Sequence, residues 1–204
     1  MVASKFAPSR ALSFEVVHVF KTLQLIEENG HVSRDILCEE LSLGEGTIRT
    51  LVRHLKMQNL VESSNAGTKM TKKGQLFFSE IKSSIPAEMK LPKCSVGLGK
   101  FNYAVILKQM SFAVKTGIEQ RDAAIKMNAS GATTLIFRNG KFVLAGTKFD
   151  ALRKEQNIRE LLIVGLKPID EDVIIIGSDS VSEKRAEFAA KSAALMTIKN
   201  HEKH

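Results

Sequence analysis

The stretch SRDILCEELSLGEGTIRTLVRHLKMQNLVESSNAGTKMTKKG, residues 33–74, decides the fold of the N-terminal half of this chain. Within it, residues 45–59 repeat apolar side chains at the spacing of a helix that buries one face, at Ile48, Leu51, Val52 and Leu55. At about 100° per residue, the opposite face carries Gly46, Arg49, Thr50, Arg53 and Met57, with His54 on its flank. Guanidinium groups and a hydroxyl suit phosphates and base edges, so we predict that residues 45–59 form a recognition helix.

Turn and capping residues divide the sequence around this helix into further elements. In chain order they predict a helix from Ser13 to Glu28, a helix capped by Ser33, the helix 45–59 with Gly44 as its N-cap, strands 60–63 and 68–70, and a helix from Lys72 to Ser84 capped by Thr71. Residues 1–11 are expected to form a frayed arm.

This order of elements resembles the winged helix-turn-helix family of transcriptional regulators over residues 12–84. The motifs that carry the resemblance are Leu41-Ser42-Leu43, Thr47-Ile48-Arg49, Leu55 with Leu60-Val61, and Thr71-Lys72-Lys73-Gly74. The resemblance implies that the recognition helix enters the major groove of double-stranded DNA and that the wing, about residues 61–70, contacts the neighbouring backbone or minor groove. The resemblance implies DNA contact by Arg49, Thr50, Arg53 and Lys69, with Thr47 and Lys72 supporting them. The predicted DNA-binding set also includes Gly46, His54 and Lys73. One departure from the family pattern is the acidic Glu45 at the start of the helix, where phosphates usually lie.

The charge of the chain is compatible with a polyanionic partner. The formal net charge is +8, but residues 1–90 hold 12 Lys and Arg against 10 Asp and Glu. The excess is local, because residues 45–74 contain six basic residues against two glutamates. No apolar run is long enough to span a bilayer, and we expect a cytoplasmic protein with no membrane contact.

Signals for catalysis or for metal binding are lacking in the sequence. Cys38 and Cys94 fit no disulfide framework and no metal-ligand cluster, and none of the five histidines stands at metal-ligand spacing. There is no nucleophile elbow and no dinucleotide-binding fingerprint. We therefore predict a protein that is not an enzyme and needs no metal or cofactor.

The C-terminal half predicts an α+β domain with a mostly antiparallel sheet and helices on one face. The expected elements are strand 102–110, helix 118–127, a hairpin of residues 133–138 and 141–145 around Asn139-Gly140, strand 173–176 and helix 181–198. Residues 161–166 fit either a strand or a helix. The predicted domains are residues 1–85 and 102–204, and Pro86, Pro92, Gly97 and Gly99 favour a linker over residues 86–101.

The best candidate for a small anionic ligand is Gly177-Ser178-Asp179-Ser180, where backbone N–H groups at a helix start would face the ligand and Arg121 would be the cation. The competing interpretation is an ordinary turn, with Ser180 and Glu183 as a capping box. The segments Gly117–Asp122, Gly131–Thr134 and Asp172–Ser178, together with the winged helix, resemble archaeal winged-helix proteins with an uncharacterised C-terminal domain.

These expectations combine into a DNA-binding transcriptional regulator. Because one winged helix offers few base contacts, we expect a homodimer, with residues 102–204 dimerising, binding a small-molecule effector, or both. Two alternatives stay open: a winged-helix module that docks on a larger protein assembly, and a metabolite-binding protein or enzyme centred on the C-terminal domain.

Overall fold

The computed structural model describes residues 13–201 of the chain. The predicted arm, residues 1–11, lies outside the described residues, as do positions 202–204. The chain divides into two compact units, Met1–Ile81 and Lys82–His204. None of the helices in the described part of the chain has the length and apolar character needed to cross a bilayer.

Unit 1 is helical and ends in a small hairpin followed by one more helix. Its elements are α1 (Val16–Asn29), α2 (Arg34–Leu41), α3 (Glu45–Met57), strands β1 (Val61–Ser64) and β2 (Gly67–Met70), which pair antiparallel, and all but the last three residues of α4 (Lys72–Ser84). Every predicted element of this half is present in the predicted order. The four apolar residues that define the inner face of α3 are all buried.

Side-chain caps set most of the helix starts in unit 1. The Ser33 hydroxyl accepts a hydrogen bond from the N–H of Ile36 at 3.3 Å, and the Thr71 hydroxyl accepts one from the N–H of Gly74 at 3.0 Å. Helix α1 starts later than predicted: Glu15 is its N-cap, and the Glu15 N–H donates to Nδ1 of His18 at 2.8 Å. The prediction of Ser13 as the cap was therefore wrong.

Two close backbone approaches hold the hairpin and α4 in place. Val32 pairs with Thr68 through two backbone hydrogen bonds of 2.9 Å, so β2 is fixed to the connection between α1 and α2. At Gly74, a Cβ would stand 2.0 Å from the carbonyl oxygen of Leu60. Only glycine therefore allows the first turn of α4 to lie this close to the residue that precedes β1.

Unit 2 is built on a five-stranded sheet in the order β3-β4-β7-β5-β6, with every neighbouring pair antiparallel. The strands are β3 (Glu88–Leu91), β4 (Phe101–Leu107), β5 (Gly131–Arg138), β6 (Lys141–Leu144) and β7 (Val173–Asp179). The helices are α5 (Ile118–Lys126), α6 (Gln156–Leu166) and α7 (Glu183–His201), with a short 3-10 turn at Ser111–Ala113. The α+β class and the antiparallel sheet are as predicted.

The helices of unit 2 cover both faces of the sheet, not one as predicted. Ile174 and Ile176 of β7 belong to a core cluster with Leu162 and other residues of α6. Gly177 lies on the opposite face, since a Cβ there would stand 2.3 Å from the carbonyl oxygen of Ala186 in α7. Because successive side chains of a strand point to opposite faces, α6 and α7 lie on opposite sides of the sheet.

Three other sequence interpretations differ from the structure. Residues 161–166 are helical and belong to α6. Strand β3 lies inside the range predicted as a linker, where its flanking residues Pro86 and Pro92 bound a short edge strand. Helix α7 starts at Glu183, so Ser180 and Glu183 do not form the predicted capping box.

Candidate nucleic-acid interface

The outer face of α3 presents free cations to solvent. Arg49 and Arg53 are exposed one turn apart, and neither has an ion-pair or hydrogen-bond partner among residues 13–200. Gly46, on the same side, is also exposed, and a Cβ built on it would have no atom of the described chain within 4 Å. This face therefore offers two guanidinium groups beside a stretch of backbone that a partner can approach closely.

One further cation belongs to this face and was missing from the predicted site. Lys56 is exposed, has no partner within the described part of the chain, and lies seven residues after Arg49. Seven residues make about two helical turns, so Lys56 and Arg49 share a side of the helix. That spacing was visible in the sequence.

The threonines of α3 are less open to a partner than the arginines. The Thr50 hydroxyl donates to the backbone oxygen of Gly46 at 2.9 Å, which leaves its oxygen only as an acceptor toward a partner. Thr47 is half-buried. Arg49 and Arg53 are therefore the more accessible polar side chains of this face.

His54 has an intramolecular packing role. It is half-buried, and its ring lies edge-on to the ring of Phe14, with 5.8 Å between the ring centroids. A side chain held in this way is less available to a partner than the exposed arginines of the same helix.

The lysines around the hairpin fall into two groups. Lys69 of β2 forms an ion pair of 3.1 Å with Glu62 of β1, and Lys73 donates to the backbone oxygen of Gln58 at 3.0 Å. Lys72 is exposed and has no partner in residues 13–200. Glu45 is exposed in the first turn of α3, where the helix dipole favours a carboxylate.

The predicted anion site in unit 2 is occupied by the chain's own hydrogen bonds. The Asp179 carboxylate accepts from the N–H groups of Val181 and Ser182, at 2.8 and 2.6 Å. The buried Ser178 hydroxyl donates to Asn102 at 2.7 Å and accepts from the N–H of Leu98 at 3.0 Å. These donors are therefore not open to an added anion.

The other three residues of that predicted site have different environments. Gly177 packs on α7, Ser180 is exposed, and Arg121 is exposed on α5. A Cβ built on Gly131, which pairs with Ser178 across the sheet, would stand 3.6 Å from Cγ of Arg121. Arg121 is thus near the end of β7, as predicted, but the segment beside it is a capped turn.

Unit 2 contains a buried polar cluster that was not predicted from the sequence. The Lys191 side chain is fully buried, with its ammonium 2.6 Å from Glu187 and 3.0 Å from Glu88. It also lies 5.6 Å from the centre of the Tyr103 ring, whose hydroxyl donates to Glu88 at 3.0 Å. This cluster ties α7 to β3 and β4. Within the described residues, no group of three or more His, Cys, Asp or Glu is placed to hold a metal ion.

Two family models match the chain. Residues 16–76 match the PH0730-like N-terminal domain, and residues 98–198 match a domain of unknown function, DUF4443. The solved structure of the hypothetical protein PH0730 from Pyrococcus horikoshii OT3 superposes with a TM-score of 0.70 at 23% identity, covering 92% of this chain and 94% of that chain. No curated protein matches. The similarity to an archaeal protein over nearly the whole chain agrees with the archaeal resemblance, and at this identity it establishes a shared fold.

Proposed function

We propose that this chain is a DNA-binding transcriptional regulator of the cytoplasm, with unit 1 as a winged-helix domain and unit 2 as a dimerisation domain. The observation that carries the proposal is the outer face of α3, where Arg49, Arg53 and Lys56 are exposed and free of partners in the described residues. In the proposed complex α3 lies in the major groove, and the β1–β2 hairpin lies along the backbone.

The proposed DNA contacts are of two kinds, to base edges and to phosphates. Arg53 sits mid-helix on the exposed face, where a guanidinium reaches base edges, and Lys72 at the start of α4 suits a phosphate. The ion pair with Glu62 partly neutralises Lys69, so the hairpin contributes a weaker contact than the resemblance implied. The positive charge of α3 therefore supplies most of the salt-dependent affinity.

The test begins with selection of bound duplexes from a random pool by the full chain, followed by anisotropy titrations on the selected duplex and a scrambled one. Arg53→Ala should weaken binding to the selected duplex by about 5- to 150-fold and reduce discrimination between the two duplexes. Lys72→Ala should weaken both alike and lower the salt slope by about one.

Two controls make these titrations specific. Arg34→Ala removes an exposed arginine from α2 that also lacks a partner within residues 13–200, and it should leave both affinities unchanged. Gly46→Ala should stabilise the helix by about 1 kcal/mol yet weaken DNA binding, because the methyl group projects into the space for the duplex. Equal losses for Arg53→Ala and Arg34→Ala would overturn the proposed interface. Failure to select any duplex would favour the protein-docking alternative.

A further inference from the structure

Helix α6 presents apolar side chains on both of its sides. Its inner side contributes Ile158, Leu162 and Leu166 to the core cluster of unit 2. On its outer side Val164 is 73% exposed and Leu161 is 42% exposed, although a surface helix normally carries polar residues there. An apolar helix face left in water marks a surface for association.

Charged residues lie at the two ends of this face. Glu160 lies within α6, Lys167 is the C-cap of the helix in the left-handed conformation (φ 47°), and both residues are exposed. Neither has an ion-pair partner in the described part of the chain. By contrast, Arg159 of the same helix hydrogen-bonds the backbone oxygen of Gly140 and lies 4.0 Å from Asp150. The outer face thus consists of an apolar centre between one free anion and one free cation.

The order of these two charges along α6 favours a second copy of α6 as the partner, packed in antiparallel orientation. Two copies of α6 packed parallel would place Glu160 beside Glu160 and Lys167 beside Lys167. Packed antiparallel, with a two-fold axis passing between positions 163 and 164, each Glu160 meets Lys167 of the other copy. We propose that the outer face of α6 is the homodimer interface of this protein, formed with α6 of a second copy in antiparallel orientation.

The small area of this face limits the affinity of the dimer. Eleven residues make a helix about 16 Å long, and a standard interface buries about 800 Å² on each partner. The α6 pair alone covers less than that, so we expect a dissociation constant on the order of tens of micromolar. Val164, the most exposed of the apolar residues near the axis, is the central contact.

Formation of the α6 dimer does not depend on DNA binding. Only its consequence, the pairing of two DNA-reading helices, rests on the proposed regulator function. It is measured on the full chain without DNA, by sedimentation equilibrium from about 1 to 300 µM. A monomeric variant that still binds duplex would leave the regulator in place, whereas a dimeric protein that binds no duplex would leave the interface in place. The two proposals therefore fail separately.

Substitutions test the apolar centre and the charges independently. Val164→Asp should leave the chain monomeric throughout the range, while Val181→Asp, at an equally exposed valine before α7, should not change the dimer. Glu160→Lys and Lys167→Glu should each weaken the dimer about tenfold, since each dimer contains two such pairs. The double reversal Glu160→Lys with Lys167→Glu should return to within about threefold of the parent.

Circular dichroism confirms that each variant is folded before the dimer is measured. A parent chain that stays monomeric at 300 µM would overturn the proposed interface. So would a Val164→Asp variant that dimerises like the parent, or a double reversal no stronger than the single reversals. The last result would show that Glu160 and Lys167 do not meet across the axis.

Discussion

Replacing Lys191 with methionine should strongly destabilise unit 2. The side chain is fully buried in α7, and its ammonium is the cation shared by Glu88 of β3 and Glu187 of α7. Methionine fills a similar volume, so the main loss is charge and not packing. Breaking a buried ion pair from one side costs about 3–5 kcal/mol. Because the two glutamates keep 19% and 16% of their side-chain surface, we expect the lower end, about 3 kcal/mol.

The chain contains its own probe for this measurement. It has one tyrosine and no tryptophan, and that tyrosine, Tyr103, belongs to the same cluster. Urea unfolding followed by tyrosine fluorescence therefore reports on unit 2 even if unit 1 unfolds separately. For a unit of this size, a loss of 3 kcal/mol corresponds to a fall of about 10 °C in the melting temperature.

A matched control is provided by Lys90 of β3, which forms an ion pair of 3.0 Å with Glu183 but is 67% exposed. Lys90→Met should cost less than about 1 kcal/mol. Adding Glu88→Gln and Glu187→Gln to Lys191→Met should recover most of the lost stability, because no uncompensated charge then remains. If Lys191→Met costs no more than Lys90→Met, the buried cation does not compensate the two carboxylates and the reasoning is refuted.

Three further predictions concern single groups. Hydrogen bonding to Arg138 lowers the pKa of Glu171 to about 2. The contribution of Glu171 to stability, present above about pH 4.5, should therefore be lost as pH falls toward 2. In Glu171→Gln, the free energy of unfolding should depend less on pH in this range. Burial lowers the pKa of His18; its proton NMR titration should have a midpoint below 6.5, and stability should fall as pH drops through that region because the unfolded chain takes the proton first. Gly177→Ala should cost more than about 2 kcal/mol in urea unfolding, since its methyl group would meet the backbone of Ala186 at 2.3 Å; an unchanged midpoint would contradict the packing of α7 on β7.

The local parts of the fold were predictable from the sequence. The inner face of α3 follows from residue spacing alone, and Thr71 caps α4 as its position in front of the helix indicated. The tight turn of the β5–β6 hairpin was also predictable, because Asn139 and Gly140 both adopt the positive φ values, 49° and 71°, that this turn needs. These features depend on neighbours within a few residues.

The features that failed depend on contacts between distant residues. The exposed Leu161 and Val164 obscured the helical pattern of α6, and nothing local assigns the two faces of the sheet to different helices. Lys191 reads as an ordinary helix lysine until β3, about a hundred residues earlier, brings Glu88 against it. For the candidate interface, the exposure of the arginines followed from helix periodicity, whereas the local bonds of Thr50 to Gly46 and of Lys69 to Glu62 depend on side-chain rotamers that periodicity does not specify.

The outer strands of the sheet in unit 2 have a consequence for solubility at high protein concentration. On one side, β6 is covered by its own chain, because the N–H of Leu144 donates to Phe149 and that of Ala151 donates to Phe142, both at 2.9 Å. On the other side, β3 is only four residues long and stands between two prolines. The edge at β6 is therefore paired, and the edge at β3 is too short for more than a few hydrogen bonds to an added strand, which opposes growth into fibrils by strand addition.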